Sequence, residues 1–290
     1  MDFRKELKDF IPSHEYFIGI DSDGCVFDSM EVKQKEFFIP NALKYFDLYA
    51  ISDTLRETWE FVNLYSVHRG GNRFISIIKV FELLSENPEV IKSGCRLPDM
   101  TSLKKWVETE NRLGNATLRK YLESNYDKDL EKIVLWSEAI NVEIGINLKQ
   151  IPPFPNAVAA IKKASVYADL VIVSQTPLEA LEREWEENNL RKYVRLIAGQ
   201  EHGTKGEHIS IGAKGRYRDN KILMIGDAKG DMDAANDNGI LFFPIIPSKE
   251  DQSWEQFVNE GFERFIENTF KGIFQENLIR EFKSYLPEKQ

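Results

Sequence analysis

The uncharged run Tyr16-Phe17-Ile18-Gly19-Ile20 stops abruptly at Asp21-Ser22-Asp23-Gly24, and this junction constrains the fold more than any other feature of the chain. A short, wholly apolar run is the pattern of a buried strand, which places two carboxylates, one residue apart, at its tip. Gly24 lets the backbone turn away sharply. Taken alone, Asp-Ser-Asp-Gly is also the composition of a polar turn that closes a strand. As a site, the pair is placed to hold a divalent cation and to attack phosphorus.

The rest of the chain falls into two characters. From Asp28, where Asp28 and Glu31 have the spacing of a capping box, a helix is expected through Phe37, Leu43 and Phe46. Helical spacing of apolar residues then continues to about Gln150, in Leu55-Trp59-Phe61-Val62, Phe74-Ile77-Ile78-Phe81-Leu84, Leu103-Trp106-Val107 and Leu130-Ile133-Val134-Ala139-Ile140. Ile151-Pro152-Pro153-Phe154-Pro155 breaks that pattern. Beyond it, strands and helices alternate. Strands are expected at Leu170–Val173, Val194–Ala198, Ile222–Ile225 and Ile240–Ile245, with helices at Asn156–Ala164, Leu178–Asn188, Glu207–Ala213 and Met232–Asn238. Alternation with fully apolar strands implies an α/β fold with a parallel sheet covered on both faces. The helical block is then an insertion between the first and second strands.

Three further places resemble parts of one site. Ile222-Leu223-Met224-Ile225 runs into Gly226-Asp227, with Asp231 four residues on, at a helix start where negative charge is favoured. Asp231 also reads as a plain helix cap. Because ligands gather at the carboxyl ends of strands in open α/β sheets, acids at 21, 23, 227 and 231 can converge. The strand ending at Val173 leads into Ser174-Gln175-Thr176, which before Pro177 equally reads as a helix cap. Lys205 stands after a strand and ahead of a helix, and Lys214 and Lys221 follow in the same region.

Read together, DSDGCVFDS at 21–29, the strand-tip Ser174, Lys205 and GDAKGD at 226–231 resemble, in order, the four motifs of the haloacid dehalogenase-like (HAD) hydrolase superfamily. Cys25 stands where that family usually has threonine. The resemblance covers residues 16 to 29 and about 154 to 245. It implies a Rossmann-like core, residues 1–29 and 151–290, with an all-helical cap at 30–150, as in the phosphatase and β-phosphoglucomutase branches. The block here is longer than many such caps.

The resemblance also implies roles. Asp21 is the nucleophile that forms an aspartyl-phosphate, and Asp23 protonates the leaving alcohol and then activates water. Mg2+ is held by Asp21, Asp227 and the backbone carbonyl of Asp23, with Asp231 orienting its waters. Ser174 and a phosphate-neutralising lysine at a helix start carry the remaining charge, and for that lysine Lys205 is preferred over Lys214 and Lys221. An acid at position 23 favours a C–O–P substrate, so the expected activity is a phosphatase acting on a small phosphorylated metabolite. A phosphomutase and a non-catalytic binding protein are the alternatives.

Specificity is expected from the helical block, where Arg69 and Arg73 flank Gly70-Gly71 ahead of an amphipathic helix. Guanidinium groups beside a helix N-terminus suit an anion, although a simple helix connection has the same composition. Gln175 is expected beside the substrate. A net charge of −9 with interleaved signs argues against nucleic acid. Cys25 and Cys95 are too few and too far apart for a disulfide scaffold or a zinc site. No apolar run approaches membrane-spanning length and the start of the chain lacks a signal core, so a cytoplasmic protein is expected. The aromatic residues between Trp254 and Phe282 read as packing against the sheet.

Overall fold

The computed structural model describes residues 4–289, so the first three residues of the N-terminal stretch read above lie outside it. Five strands, β1 (Tyr16–Ile20), β2 (Ala168–Val173), β3 (Leu196–Ala198), β4 (Ile222–Gly226) and β5 (Leu241–Pro244), form one sheet in the order β3-β2-β1-β4-β5. Every pairing is parallel. A parallel sheet carries helices on both faces, so β2, β4 and β5 are buried at every position and cannot show the alternation of a half-exposed strand.

Register sets the site. Ile20 pairs with Ile172 on one side and Ile225 on the other, so β1, β2 and β4 end level. The ladder continues one step further through Asp21 N–H to the Ile225 carbonyl at 2.9 Å and Ser174 N–H to the Ala198 carbonyl at 3.0 Å. After β1 the chain runs outward to β2 and β3, then returns across β1 to β4 and β5. That reversal leaves a crevice at the carboxyl ends of the central strands, where Asp21 and Asp227 stand.

Two helices begin earlier than their apolar residues indicate. The helix after β3 is Lys205–Gly212, opened by a capping box in which Glu207 N–H donates to Thr204 Oγ1 at 3.2 Å and Thr204 N–H donates to Glu207 Oε2 at 2.8 Å. The spacing Thr204-Lys205-Gly206-Glu207 was therefore the start signal, ahead of the first apolar residue. Likewise the helix after β4 is Lys229–Asp237, beginning before Met232.

By its internal contacts the chain divides into two compact units, Met1–Met30 with Gln150–Pro287, and Glu31–Lys149 with Glu288–Gln290. The first holds the sheet. Its proline-rich segment bonds back to the loop after Asp23, with Phe154 N–H donating to the Val26 carbonyl at 2.9 Å. Trp254, Phe257, Phe262, Phe265 and Phe270 are buried in the same core as Ile20, Ile172 and Ile225, which is the packing expected of the aromatic tail. The second unit is helical, its longer helices being Ser52–Leu64, Arg73–Glu86 and Lys128–Asn147. Its core gathers Phe46, Trp59, Phe81 and Trp136, whose rings meet mostly edge to face. No helix among the described residues is long and apolar enough to cross a membrane.

Candidate active site

Asp21, Asp227 and Asp231 meet at the carboxyl end of the sheet, each buried, with one carboxylate oxygen apiece lying within 4.8 Å of the others. Asp21 follows β1 and Asp227 follows β4, so strand pairing alone brings them together. Asp231 arrives from the first turn of helix Lys229–Asp237, its Oδ2 accepting from Ala228 N–H at 3.1 Å. Gly226 makes room for it, because a Cβ at that position would lie 2.5 Å from Asp231 Oδ2. The Gly-Asp pairing at 226–227 is thus a steric requirement of the acid four residues later.

Lys205 reaches the same place from the helix after β3. Its ammonium lies 2.8 Å from Asp21 Oδ2 and 2.6 Å from Asp231 Oδ1, with its side chain 11% exposed. The competing lysines are engaged elsewhere: Lys214 donates to Asp219 and to the Asn238 carbonyl, and Lys221 pairs with Glu15 over the Tyr16 ring. Burial pushes Asp21 up to about 6, against the attraction of Lys205 and with the help of Asp227. Burial likewise holds Asp231 at about 7. The two carboxylates in turn raise Lys205 despite its own burial, so it is a permanent cation.

These residues fit a magnesium ion. Three carboxylates converge in a buried space around one ammonium, which leaves an excess of negative charge on hard oxygen donors. Burial first, and the neighbouring acids after it, raise Asp21 and Asp231, and a divalent cation would favour their charged forms.

Asp23, two residues on from Asp21, is held by hydroxyl donors. Its Oδ1 accepts from Ser29 Oγ in a very short bond, and its Oδ2 accepts from Thr176 Oγ1 at 2.7 Å. Ser174, 2% exposed, accepts from Thr176 N–H at 3.2 Å, so the first residue of the Ser-Gln-Thr turn shapes the third. Gln175 is exposed and donates through Nε2 to the Gly203 carbonyl at 2.9 Å, which ties its turn to the loop ahead of Lys205.

The loop carrying Asp21 and Asp23 is braced from behind by two buried indoles that sequence reasoning left out of the site. Trp254 Nε1 donates to the Cys25 carbonyl at 2.7 Å, and Trp185 Nε1 donates to Ser22 Oγ at 3.0 Å. Ser22 O in turn accepts from Val26 N–H at 2.9 Å and Phe27 N–H at 3.2 Å, closing the turn in which Gly24 takes φ 76°. Cys25 fills this turn as a buried apolar group; burial and three neighbouring acids hold its thiol far above its usual range, so it is protonated and inert.

Arg69 and Arg73 both make hydrogen bonds within the helical unit. Arg69, 3% exposed, donates to the Leu64 carbonyl at 3.0 Å. Arg73 donates to Asn141 Oδ1 at 2.8 Å and to the Ser137 carbonyl and hydroxyl, with its guanidinium over the Phe38 ring. The helix N-terminus between them is capped by Asn72, which accepts from Phe74 N–H at 3.0 Å. A basic, glycine-containing loop fits this internal arrangement as well as it fits an anion site.

No protein-family model matches the chain, and neither does any curated protein. Solved structures similar to it include a haloacid dehalogenase-like family hydrolase from Streptococcus pneumoniae, 16% identical, covering 83% of this chain and 90% of its own with a TM-score of 0.44. Another is a haloacid dehalogenase-like family hydrolase from Xanthomonas campestris, 13% identical, covering 89% and 97% with a TM-score of 0.44. A third is a HAD-hydrolase from Bacillus subtilis bound to magnesium, 12% identical, covering 79% and 86% with a TM-score of 0.45.

Proposed function

We propose that this protein is a HAD-type, magnesium-dependent phosphatase that hydrolyses a small phosphorylated metabolite through an aspartyl-phosphate on Asp21. The observation that carries the reading is the convergence of Asp21, Asp227 and Asp231 within 4.8 Å at the strand ends, with Lys205 bridging two of them. A metabolite-binding protein has no need of a second acid, Asp23, held by its own hydroxyl donors.

Asp21, Asp227 and Asp231, with the backbone carbonyl of Asp23, would hold the ion. When bound, it neutralises phosphate charge so that an anionic nucleophile can approach. Lys205 and the Ser174 hydroxyl add positive charge and a donor for the phosphoryl oxygens. A carboxylate oxygen of Asp21 attacks phosphorus, and Asp23 delivers a proton to the departing alcohol. Asp23, now a carboxylate, takes a proton from water as that water attacks the aspartyl-phosphate. Substrate selection is assigned to the helical unit, with Arg69 and Arg73 as the candidate recognition groups.

A hydrolysis screen over phosphorylated metabolites, with magnesium and after chelation, tests the reading. Phosphate release that requires magnesium and vanishes in Asp21→Asn is expected. Release that survives either treatment would refute it.

A further inference from the structure

We propose that Thr176 is a positioning residue for Asp23, holding one oxygen of that carboxyl group in place through both halves of the reaction; this rests on the phosphatase reading above. The assignment starts from the 2.7 Å bond between Thr176 Oγ1 and Asp23 Oδ2, which joins the loop after β1 to the turn after β2 across 153 residues of chain. Thr176 is itself fixed. Its N–H donates to Ser174 Oγ at 3.2 Å, its carbonyl accepts from Gln200 N–H at 3.1 Å, and Pro177 follows it with a constrained φ. A side chain on so rigid a turn has little freedom to relax away when Asp23 changes its charge.

The chemistry of a hydroxyl suits this place better than any other small polar group. In the first half-reaction an Asp21 oxygen bonds to phosphorus, the bond from phosphorus to the alcohol oxygen breaks, and the Asp23 proton passes to that oxygen. In the second, a water oxygen bonds to phosphorus, its proton passes to Asp23, and the bond from phosphorus to Asp21 breaks, which restores both acids and frees phosphate. Asp23 therefore alternates between a carboxylate, which only accepts hydrogen bonds, and a carboxylic acid, which also donates one. A threonine hydroxyl donates to the first and accepts from the second without moving. Ser29 Oγ, on the other oxygen, has the same property, so the acid is gripped at both ends and its plane is set.

The test uses Thr176→Val, which keeps the shape and removes the hydroxyl, and Thr176→Ser, which keeps the hydroxyl. Two probes separate positioning of an acid from simple packing: phenyl phosphate, whose leaving group needs a proton, and p-nitrophenyl phosphate, whose leaving group does not. In single-turnover measurements with magnesium, Thr176→Val is expected to slow phosphoryl transfer from phenyl phosphate about 10- to 100-fold, the loss expected from one hydrogen bond to a charged group. Transfer from p-nitrophenyl phosphate should change less than about threefold, and the slower second step should appear as a burst of nitrophenol. Thr176→Ser should restore most of the rate, and Thr176→Val added to Asp23→Asn should cost nothing further. Equal losses on both probes, no rescue by serine, or a loss that persists in Asp23→Asn would overturn the proposal in favour of a packing role. Should the valine variant fail to fold, Thr176→Ala takes its place in the same comparison. Hydrolysis of neither probe by the unmodified protein would remove the phosphatase reading, and the proposal with it, and is distinguishable because it precedes any substitution.

Discussion

Trp254→Phe isolates the brace behind the Asp21–Asp23 loop. The substitution keeps an aromatic ring in the core and removes the indole N–H that donates to the Cys25 carbonyl at 2.7 Å, where neither residue has exposed surface. An orphaned buried carbonyl costs about 1–3 kcal/mol. The volume lost between indole and phenyl adds about 1 kcal/mol, well below the cost of a full truncation. The expected sum of about 2–4 kcal/mol corresponds to a fall in Tm of about 5–15 °C for the unit that holds the sheet. Trp106→Phe is the control: Trp106 is as deeply buried, but its indole Nε1 has no hydrogen-bond partner among the described residues. Its replacement should cost only the packing difference. Thermal and urea unfolding of both variants, followed by circular dichroism, makes the comparison. Equal losses in the two variants would refute the reasoning, because the bond to Cys25 would then contribute nothing.

Three further outcomes follow from particular contacts. Burial first, then the neighbouring His202 and Lys205, hold His208 at about 4, below the ordinary 6.5, so the unfolded chain takes up the proton before the folded one. Stability should be fully present above pH 6.5 and fall by up to about 3 kcal/mol as pH drops towards 4, a slope that urea titrations should find missing in His208→Asn. Gly226→Ala should abolish phosphatase activity while the sheet still folds, since the added methyl would collide with the Asp231 carboxylate; an active variant with unchanged magnesium affinity would contradict the assigned packing. Arg73→Ala should destabilise the helical unit by about 1–3 kcal/mol through loss of its bonds to Ser137 and Asn141, and a stability unchanged in thermal melts would return Arg73 to the surface.

The sheet was legible because its strands are buried on both faces. Ile18-Gly19-Ile20 and Ile222-Leu223-Met224-Ile225 are short and uncharged, the first followed at once by Asp21 and the second by Gly226-Asp227, as suits a central parallel strand with an acid at its tip. The acids themselves were readable for the same reason, since level strands bring their tips together. Thr176 as a partner of Asp23, and Trp254 as a partner of Cys25, were not readable: the partners are separated by 153 and 229 residues, and nothing in a Ser-Gln-Thr turn or an aromatic stripe says which carbonyl or carboxylate it will face. The partners of Arg73 were hidden for a related reason, because the helix that carries Ser137 and Asn141 lies far along the chain. The start of helix Lys205–Gly212 was readable from Thr204 and Glu207, but periodicity of apolar residues hides a cap that lies ahead of them.

The central claim is that Asp21 becomes phosphorylated. Acid quenching of the protein during turnover of p-nitrophenyl phosphate with magnesium, followed by peptide mass spectrometry, reads this directly, and Asp23→Asn should raise the signal because the hydrolytic step loses its base. The account predicts a phosphoryl group on Asp21 alone, absent without magnesium and absent in Asp21→Asn. Turnover with no covalent phosphate, or with phosphate on any other side chain, would contradict it.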